Sequence, residues 1–345
     1  MAARRTLRFL HPEEAGRNPE TVLSACCVIV MRRFKLAGPI LALCRRARIP
    51  CYYFTDENVV ALSTEDRGWR RYGHDWVRRQ LAGFAGVICG SAPLADYFRS
   101  TGLHPQVAEW APVLPRDPPP MQDQPDPPTC FAFIGGAFRW RALAGTVLPG
   151  LAAAAKGSPL RLLLRNIPDH RIEPGWIARA AAAGVSIAYY PDSERYDRFV
   201  ETVRAERVQV VLHPAGDSRN IDYKSLATIV AARAIGALPI LPDQGVFPTL
   251  GEAEGILVLP DRPEAWTAAL DRLLREPGRA RLLRQRFDAH CRAAYRGERT
   301  VAFLEELVER HRVDAATRAR RLAAFRARPH LPYPIRREFW RAIGL

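Results

Sequence analysis

The sequence predicts an α/β protein built from two parallel-sheet domains. Short apolar runs alternate with longer amphipathic stretches along most of the chain, which is typical of parallel strands joined by crossover helices. With 345 residues, the chain is long enough for two domains of ordinary size. Residues 112–128 contain eight prolines, which cannot continue a helix or a central strand. We therefore expect an extended linker between the two domains.

The first domain is expected to cover residues 1–115. Its predicted strands are residues 25–31, 51–55 and 86–89, and its predicted helices are residues 36–47 and 69–84. Ser91 is expected to cap a further helix that ends near residue 101, with Pro93 tolerated in the first turn.

The second domain is expected to cover residues 129–328. Predicted strands are residues 130–134, 160–164, 185–189, 208–212, 238–241 and 256–259, with helices between them that include residues 139–155 and 223–235. A helical, arginine-rich tail follows at residues 263–326. The remaining segment, residues 329–345, is expected to end in a short helix over residues 336–343.

The net charge of +15 comes almost entirely from arginine, because the chain has only three lysines. The arginines are spread along the chain without interleaved aromatic residues or a nucleic-acid-binding motif, so nucleic acid is not an expected partner. A solvated basic face, or attraction to anionic lipid or phosphate-bearing substrates, explains the charge better.

The expected location is the cytoplasm, with peripheral contact to the inner face of the membrane as a further expectation. The seven cysteines lie mostly in apolar runs and form no C-x-x-C pair, as expected for buried thiols in a reducing compartment. No apolar run approaches the length of a membrane span, and no secretory signal is visible.

Two polar segments that follow predicted strands are candidate binding loops. In the first, residues 133–141, Gly135 and Gly136 would let the backbone approach a phosphate, and Arg139 and Arg141 could pair with a diphosphate. The alternative is a simple tight turn.

The second candidate loop, residues 213–225, leads into a helix rich in small residues. Lys224 offers a compact ammonium group at the predicted helix start, and Ser225 offers a hydroxyl to the same phosphate. The alternative is a capped surface helix.

The order of motifs resembles family 4 glycosyltransferases and their close relatives. The resemblance is carried by Asn220-x-x-x-Lys224-Ser225, Gly236-x-x-Pro239, Asp243 and Gly245, together with residues 86–98, 109–112 and 255–274. It covers about residues 25–287. It implies the glycosyltransferase B (GT-B) architecture, with two Rossmann-like domains facing a cleft and a C-terminal helix that returns to the first domain.

The resemblance also implies a nucleoside diphosphate sugar bound to the second domain. Its base would lie against residues 185–192. Besides the glycine, arginine, lysine and serine residues named in the two loops above, the residues implied in donor binding are Tyr190, Asp192, His213, Asn220 and Tyr223.

One part of the family pattern is missing. Many members carry two glutamates eight positions apart, and the second contacts the donor ribose. The matching residues here are Tyr223 and Ala231. Either Asp222 substitutes, or the donor is held differently, or the site has degenerated.

The first domain is expected to bind the acceptor. Asp56 is the preferred general base and Glu57 the next, because both follow a predicted strand. A turn or helix-capping role for this segment is equally compatible with the sequence. His74 and His213 are the alternative bases.

The predicted activity is metal-independent transfer of a hexose-type unit to a hydroxyl acceptor on a glycan, lipid or protein, with no cofactor. No Asp-x-Asp pair and no grouped His and Cys suggest a metal site. Lys224, Arg139 and Arg141 would then stabilise the leaving diphosphate. The alternatives are a non-catalytic scaffold with the same fold and a nucleotide-sugar epimerase.

Overall fold

A computed structural model describes most of the chain in two compact units. The described residues are 8, 10, 14–15, 18–31, 34–65, 67–110, 113–114, 120–121, 126–135, 139–156, 158–165, 174–190, 196–216 and 218–327. One unit comprises Met1–Trp110 with Val301–Leu345, and the other comprises Ala111–Thr300. The sequence assigned residues 301–328 to the second domain, whereas their contacts group them with the first unit. The predicted last helix lies outside the described residues.

The elements of the first unit before the linker are short. In chain order they are α1 Pro19–Leu23, β1 Val28–Met31, α2 Phe34–Arg46, β2 Cys51–Thr55, α3 Val59–Glu65, a 3₁₀ helix Arg67–Tyr72, α4 His74–Leu81, β3 Gly86–Cys89, α5 Ala92–Ser100 and β4 Val107–Glu109.

The described residues of the second unit form six strands and a longer set of helices. In chain order they are β5 Cys130–Phe133, a helical turn Trp140–Ala142, a π-helical turn Leu143–Val147, α6 Leu148–Ala155, β6 Leu160–Arg165, α7 Pro174–Ala182, β7 Val185–Tyr190, α8 Tyr196–Ala205, β8 Val210–Leu212, a 3₁₀ helix Arg219–Tyr223, α9 Ala227–Ile235, β9 Leu238–Pro242, β10 Leu257–Leu259, α10 Pro263–Arg275 and α11 Arg279–Ala294. Two helices follow, α12 Glu298–Arg310 and α13 Ala315–Arg326.

The first sheet is parallel, with the strand order β1-β2-β3-β4. β1 begins three residues later than predicted, because Ala25 still donates its backbone N–H to the carbonyl of Val22 at the end of α1. The Ser91 cap is confirmed: its hydroxyl accepts from the backbone N–H of Leu94 at 3.3 Å. The sequence did not predict α3, which the Asn58 side chain caps by accepting from the N–H of Ala61 at 3.0 Å.

Residues of the tail complete the core of the first unit. Leu307 of α12 is buried with Tyr52 of β2 and Ile88 of β3, and Phe303 packs against the same cluster. The tail is helical, as predicted from its composition. The apolar stripe of α12 covers this face of the first sheet. The chain after residue 300 therefore belongs to the first unit.

The second sheet is parallel, with the strand order β10-β9-β8-β5-β6-β7. Alternate residues of its strands enter two different apolar cores: Phe131 and Phe133 join one, and Cys130 and Ala132 join the other. This alternation means that both faces of the sheet are covered, as in doubly wound α/β domains.

Candidate functional site

The second sheet has a topological switch point between β5 and β8. β5 is followed in space by β6 and β7 on one side, whereas β8 is followed by β9 and β10 on the other. In open parallel sheets the loops at the carboxyl ends of two such strands diverge and leave a crevice that binds ligands. The loops concerned here begin at Ile134 and at His213, so the two candidate segments predicted from sequence are neighbours.

Arg139 joins these two loops. Its side chain is 1% exposed, and Nη1 donates a hydrogen bond to the carbonyl of Pro214. Burial lowers the pKa of Arg139 to about 10, against the opposing effect of the Asp261 carboxylate, so the guanidinium stays charged at neutral pH. Gly135 lies close beside it, since a Cβ at that position would lie 2.8 Å from Cδ of Arg139 and the side chain would have to shift.

His213 is buried at the end of β8. Its Nδ1 lies 2.6 Å from the carbonyl oxygen of Ile134. The pKa of His213 is lowered well below its usual value, first by burial and then by the charges of Arg139 and Lys224, while the bond to Ile134 opposes the shift. The charges of one residue from each candidate loop therefore reach this ring.

Lys224 does not start a helix, contrary to the prediction. It follows the 3₁₀ helix Arg219–Tyr223 in an extended conformation, and α9 begins only at Ala227. The hydroxyl of Ser225 accepts from the backbone N–H of Ala227 at 3.3 Å, so it already serves the start of α9. Lys224 is half-buried.

Two buried residues shape the turn that carries Lys224. The side chain of Asn220 is 2% exposed, and its backbone N–H donates to Oγ of Ser218 at 3.1 Å. Gly245, in the loop after β9, has φ +64°, and a Cβ there would lie 2.4 Å from the carbonyl oxygen of Ile221. The loop after β9 thus packs closely against the turn Arg219–Tyr223, and only glycine at position 245 permits this contact.

No carboxylate occupies the two positions where many family 4 glycosyltransferases carry glutamate. Tyr223 ends the 3₁₀ helix, and Ala231 is buried on α9 with 6% exposure. Asp222, the neighbouring carboxylate, has an exposed side chain.

The other predicted donor residues differ in their surroundings. Tyr190 is buried at the end of β7, with its ring centroid 5.8 Å from that of Phe199. Arg141 is exposed in the helical turn after Arg139. Gly136 and Asp192 lie outside the described residues.

The predicted acceptor residues lie in the first unit. Asp56 and Glu57 directly follow β2, and Asp56 is 8% exposed beside Gly90, where an added Cβ would lie 2.9 Å from Cβ of Asp56. The capping role in this segment belongs to Asn58. His74 donates through Nε2 to the carbonyl of Thr101 at 2.9 Å, which ties the start of α4 to the end of α5.

Within the described residues, no group of three or more His, Cys, Asp or Glu side chains could hold a metal ion. Over the same residues, no helix is both long enough and apolar enough to cross a bilayer.

No protein-family model matches the chain, and no curated protein matches its sequence. The structure of the chain, however, is similar to several solved structures. A TarM variant from S. aureus, crystallised with fondaparinux, α-GlcNAc-glycerol and UDP, aligns over 87% of this chain and 58% of its own at 10% identity and a TM-score of 0.57. The pneumococcal O-GlcNAc transferase GtfA, with UDP and GlcNAc, aligns over 89% and 61% at 12% identity and a TM-score of 0.59.

The chain has the GT-B glycosyltransferase fold. A glycosyltransferase from Rickettsia africae gives a TM-score of 0.51 at 11% identity and aligns over 89% of this chain and 84% of its own. The chain spans about three fifths of the TarM and GtfA chains. At these identities the GT-B assignment concerns the fold. Within that fold, the switch point of the second sheet is where the buried Arg139 and the half-buried Lys224 both act on His213.

Sequence reasoning missed two contributors to the site. The ring centroid of Phe247 lies 6.0 Å from that of His213, and Asp261 acts on the charge of Arg139. Asp261 lies two residues after the end of β10, so the rule that ligands bind at the carboxyl ends of strands could have found it. Phe247 has no such signal in the sequence.

Proposed function

We propose that this GT-B protein is a glycosyltransferase that moves a sugar from a nucleoside diphosphate sugar to a hydroxyl acceptor. The observation that supports this most is the buried guanidinium of Arg139 at the switch point of the second sheet, where the charges of Arg139 and Lys224 both act on His213. Two cations in a poorly hydrated crevice favour a ligand with concentrated negative charge, such as a diphosphate.

The chemistry follows from where charge develops. As the bond between the anomeric carbon and the diphosphate oxygen breaks, the sugar becomes oxocarbenium-like and the diphosphate gains negative charge. Lys224, Arg139 and Arg141 would stabilise that charge without a metal ion, and Gly135 and Gly136 would let backbone N–H groups approach it. Asp56, or else Glu57, would accept the proton of the acceptor hydroxyl.

The remaining donor contacts complete the proposal. The nucleotide base would lie beside Tyr190 and Asp192, and Asn220, Tyr223 and Ser225 would line the segment around Lys224. UDP is the first nucleotide to test, because the structures of TarM and GtfA contain it.

The decisive experiment is calorimetric titration of UDP, GDP, ADP, TDP and CMP into the purified protein, with and without EDTA. Lys224→Ala should weaken binding of the preferred nucleotide about 10-fold or more, because one charge-assisted contact is lost. Lys156→Ala is the matched control, since Lys156 is 60% exposed and pairs with Asp271 at 3.4 Å. Equal effects of both changes, or no binding of any nucleotide at millimolar concentration, would refute the proposal.

Turnover is tested by release of UDP from UDP-N-acetylglucosamine and related donors, with glycan, lipid-linked and peptide acceptors supplied in turn. Asp56→Asn and Glu57→Gln should lower acceptor-dependent release while leaving nucleotide affinity unchanged. If neither change lowers release, the base is another group, and His74 becomes the next residue to test.

A non-catalytic scaffold is the second candidate function. It is favoured by Ala231, which leaves the ribose position of the family pattern without a carboxylate. Nucleotide binding without transfer or hydrolysis would support the scaffold, and conversion of the donor sugar to an isomer without any acceptor would support an epimerase.

We also propose a cytoplasmic location with peripheral contact between α13 and the inner face of the membrane. α13 has no buried residues, and Arg318 and Arg320 are exposed on it. Flotation with anionic vesicles should be lost in Arg318→Gln/Arg320→Gln and absent with neutral vesicles. The predicted linker between the ends of the domains, residues 115 and 129, remains a proposal that limited proteolysis can test.

A further inference from the structure

The hydrogen bond between His213 and Ile134 determines where the ring proton lies. A carbonyl oxygen can only accept, so Nδ1 of His213 must carry a proton and donate it across the 2.6 Å contact. In a neutral imidazole one ring nitrogen is a donor and the other an acceptor. Nε2 therefore keeps its lone pair whenever the ring is uncharged.

The surroundings keep the ring uncharged at neutral pH. His213 is more than nine-tenths buried, and the charges of Arg139 and Lys224 both oppose a second proton. Within the described part of the chain, Nδ1 carries the hydrogen bond of this ring and Nε2 has no protein partner. An acceptor nitrogen without a protein partner is available to a hydrogen-bond donor of a ligand or water.

We infer that His213 meets the ligand as a hydrogen-bond acceptor through Nε2, so that the group it binds is a hydroxyl or an amide N–H and not a phosphate oxygen. The inference rests on the proposed function, because it divides the donor site into two chemistries. Arg139 and Lys224 attract the diphosphate, and the neutral ring coupled to them recognises a hydrogen-bond donor on the sugar or nucleoside.

Two substitutions separate the functions of the two ring nitrogens. In His213→Asn the amide nitrogen stands near the position of Nδ1 and can still donate to Ile134, but the acceptor at Nε2 is gone. In His213→Gln the longer side chain can place an amide oxygen near Nε2, while the bond to Ile134 is lost.

The binding test uses UDP-N-acetylglucosamine and inorganic pyrophosphate as probes. His213→Asn should weaken binding of the nucleotide sugar about 5- to 100-fold, because a ligand donor loses its buried partner, and change pyrophosphate binding less than about twofold. His213→Gln should retain more affinity for the nucleotide sugar than His213→Asn. Equal losses for both probes, or the reverse order of the two variants, would overturn the inference.

The tautomer is tested separately by ¹⁵N NMR of the protein labelled at histidine, with the His213 signals assigned by their absence in His213→Asn. We expect a protonated Nδ1 and an unprotonated Nε2 from pH 6 to 8. A protonated Nε2 at pH 7 would overturn the inference whatever the binding data show. If the unmodified protein binds neither probe, the proposed function fails, and the NMR result still decides the state of the ring.

His104 supplies a matched control in the first unit. It is also buried, and its Nδ1 lies 2.9 Å from the carbonyl oxygen of Gln106. His104→Asn removes a buried imidazole that is not part of the candidate donor site. It should therefore leave the affinity for UDP-N-acetylglucosamine unchanged. A loss as large as that in His213→Asn would mean that affinity reports stability alone.

Discussion

Tyr52 and His311 are joined by a hydrogen bond of 2.7 Å between Oη and Nε2, although they lie 259 positions apart. Burial raises the pKa of Tyr52, and burial together with the Arg310 charge lowers the pKa of His311. At neutral pH the phenol therefore donates to a neutral imidazole. The bond ties the segment after α12 to the central strand β2, whose end carries Asp56.

We predict that Leu307→Ala destabilises the first unit by about 2–4 kcal/mol, since it leaves a cavity between α12 and the sheet. Hydrogen exchange should accelerate in β2 and β3 more than in the strands of the second unit. Leu282→Ala is the control, because Leu282 is 47% exposed and its truncation should change stability by less than about 0.5 kcal/mol. Unchanged exchange in β2 would contradict a core completed by the tail.

A second prediction concerns the ion pair of Arg233 and Asp288, whose Nη2 and Oδ1 atoms lie 2.5 Å apart between α9 and α11. The side chain of Arg233 is 0% exposed. Asp288→Asn should destabilise the second unit by about 3–5 kcal/mol, because a buried cation loses its partner. Denaturant unfolding measures this change.

Asp288 also pairs with Arg292 at 3.0 Å, so the loss needs a control. Arg292→Ala should change stability by less than about 1 kcal/mol, because its side chain is 50% exposed and solvent screens the pair. The double change Arg233→Met/Asp288→Leu should recover most of the stability, since neither charge is then buried. A double variant no more stable than Asp288→Asn would contradict this account.

A third prediction is a pH dependence due to His213. Its pKa in the folded protein lies below that of the unfolded chain, about 6.5. Above pH 7 both states are neutral at this position. As the pH falls below 6.5, the unfolded chain gains a proton that the folded protein does not, so folding stability falls by up to about 1.4 kcal/mol per pH unit.

Urea unfolding of the protein and of His213→Asn from pH 5 to pH 8 measures this contribution. The difference between the two curves should be flat above pH 7 and should change below pH 6.5 in favour of the variant. Parallel curves across the whole range would show that His213 titrates normally.

A fourth prediction compares two glycines with positive φ. Gly245→Ala brings a Cβ to within 2.4 Å of the Ile221 carbonyl oxygen, whereas Gly102, at φ +67°, has no heavy atom within 4 Å of that position. Both changes carry the same backbone penalty of about 1–2 kcal/mol. Gly245→Ala should cost about 1–3 kcal/mol more, because the loop and the turn must separate. It should also weaken nucleotide binding, and equal stabilities of the two variants would contradict the close contact.

The sequence predicted the fold well where a local pattern carries the information. The strands of the second unit are apolar runs bounded by polar loops, and the prolines of residues 112–128 break the periodicity between the two sheets. It failed at the start of α9. α9 begins at Ala227 instead of residue 223, because the backbone of Arg219–Tyr223 forms a 3₁₀ turn against Gly245, a contact that propensity does not report.

The sequence predicted the two loops of the candidate site. It did not predict the burial and charge states of the side chains in them. Strand order brings Arg139 and His213 together, because β5 and β8 are neighbours in the sheet although β6 and β7 lie between them in the sequence. The burial of Arg139 and the neutral state of His213 depend on desolvation and on nearby charges, which a linear sequence does not contain.

By itself, the sequence determined the α/β class, the parallel sheets and the loops at strand ends, because hydrophobic periodicity and glycine and proline placement act over a few residues. Only the tertiary structure decided that the tail after Val301 completes the first unit, and that burial and the charges of Arg139 and Lys224 keep His213 neutral. Those features arise from contacts between residues far apart in the chain, whose energies depend on burial and distance.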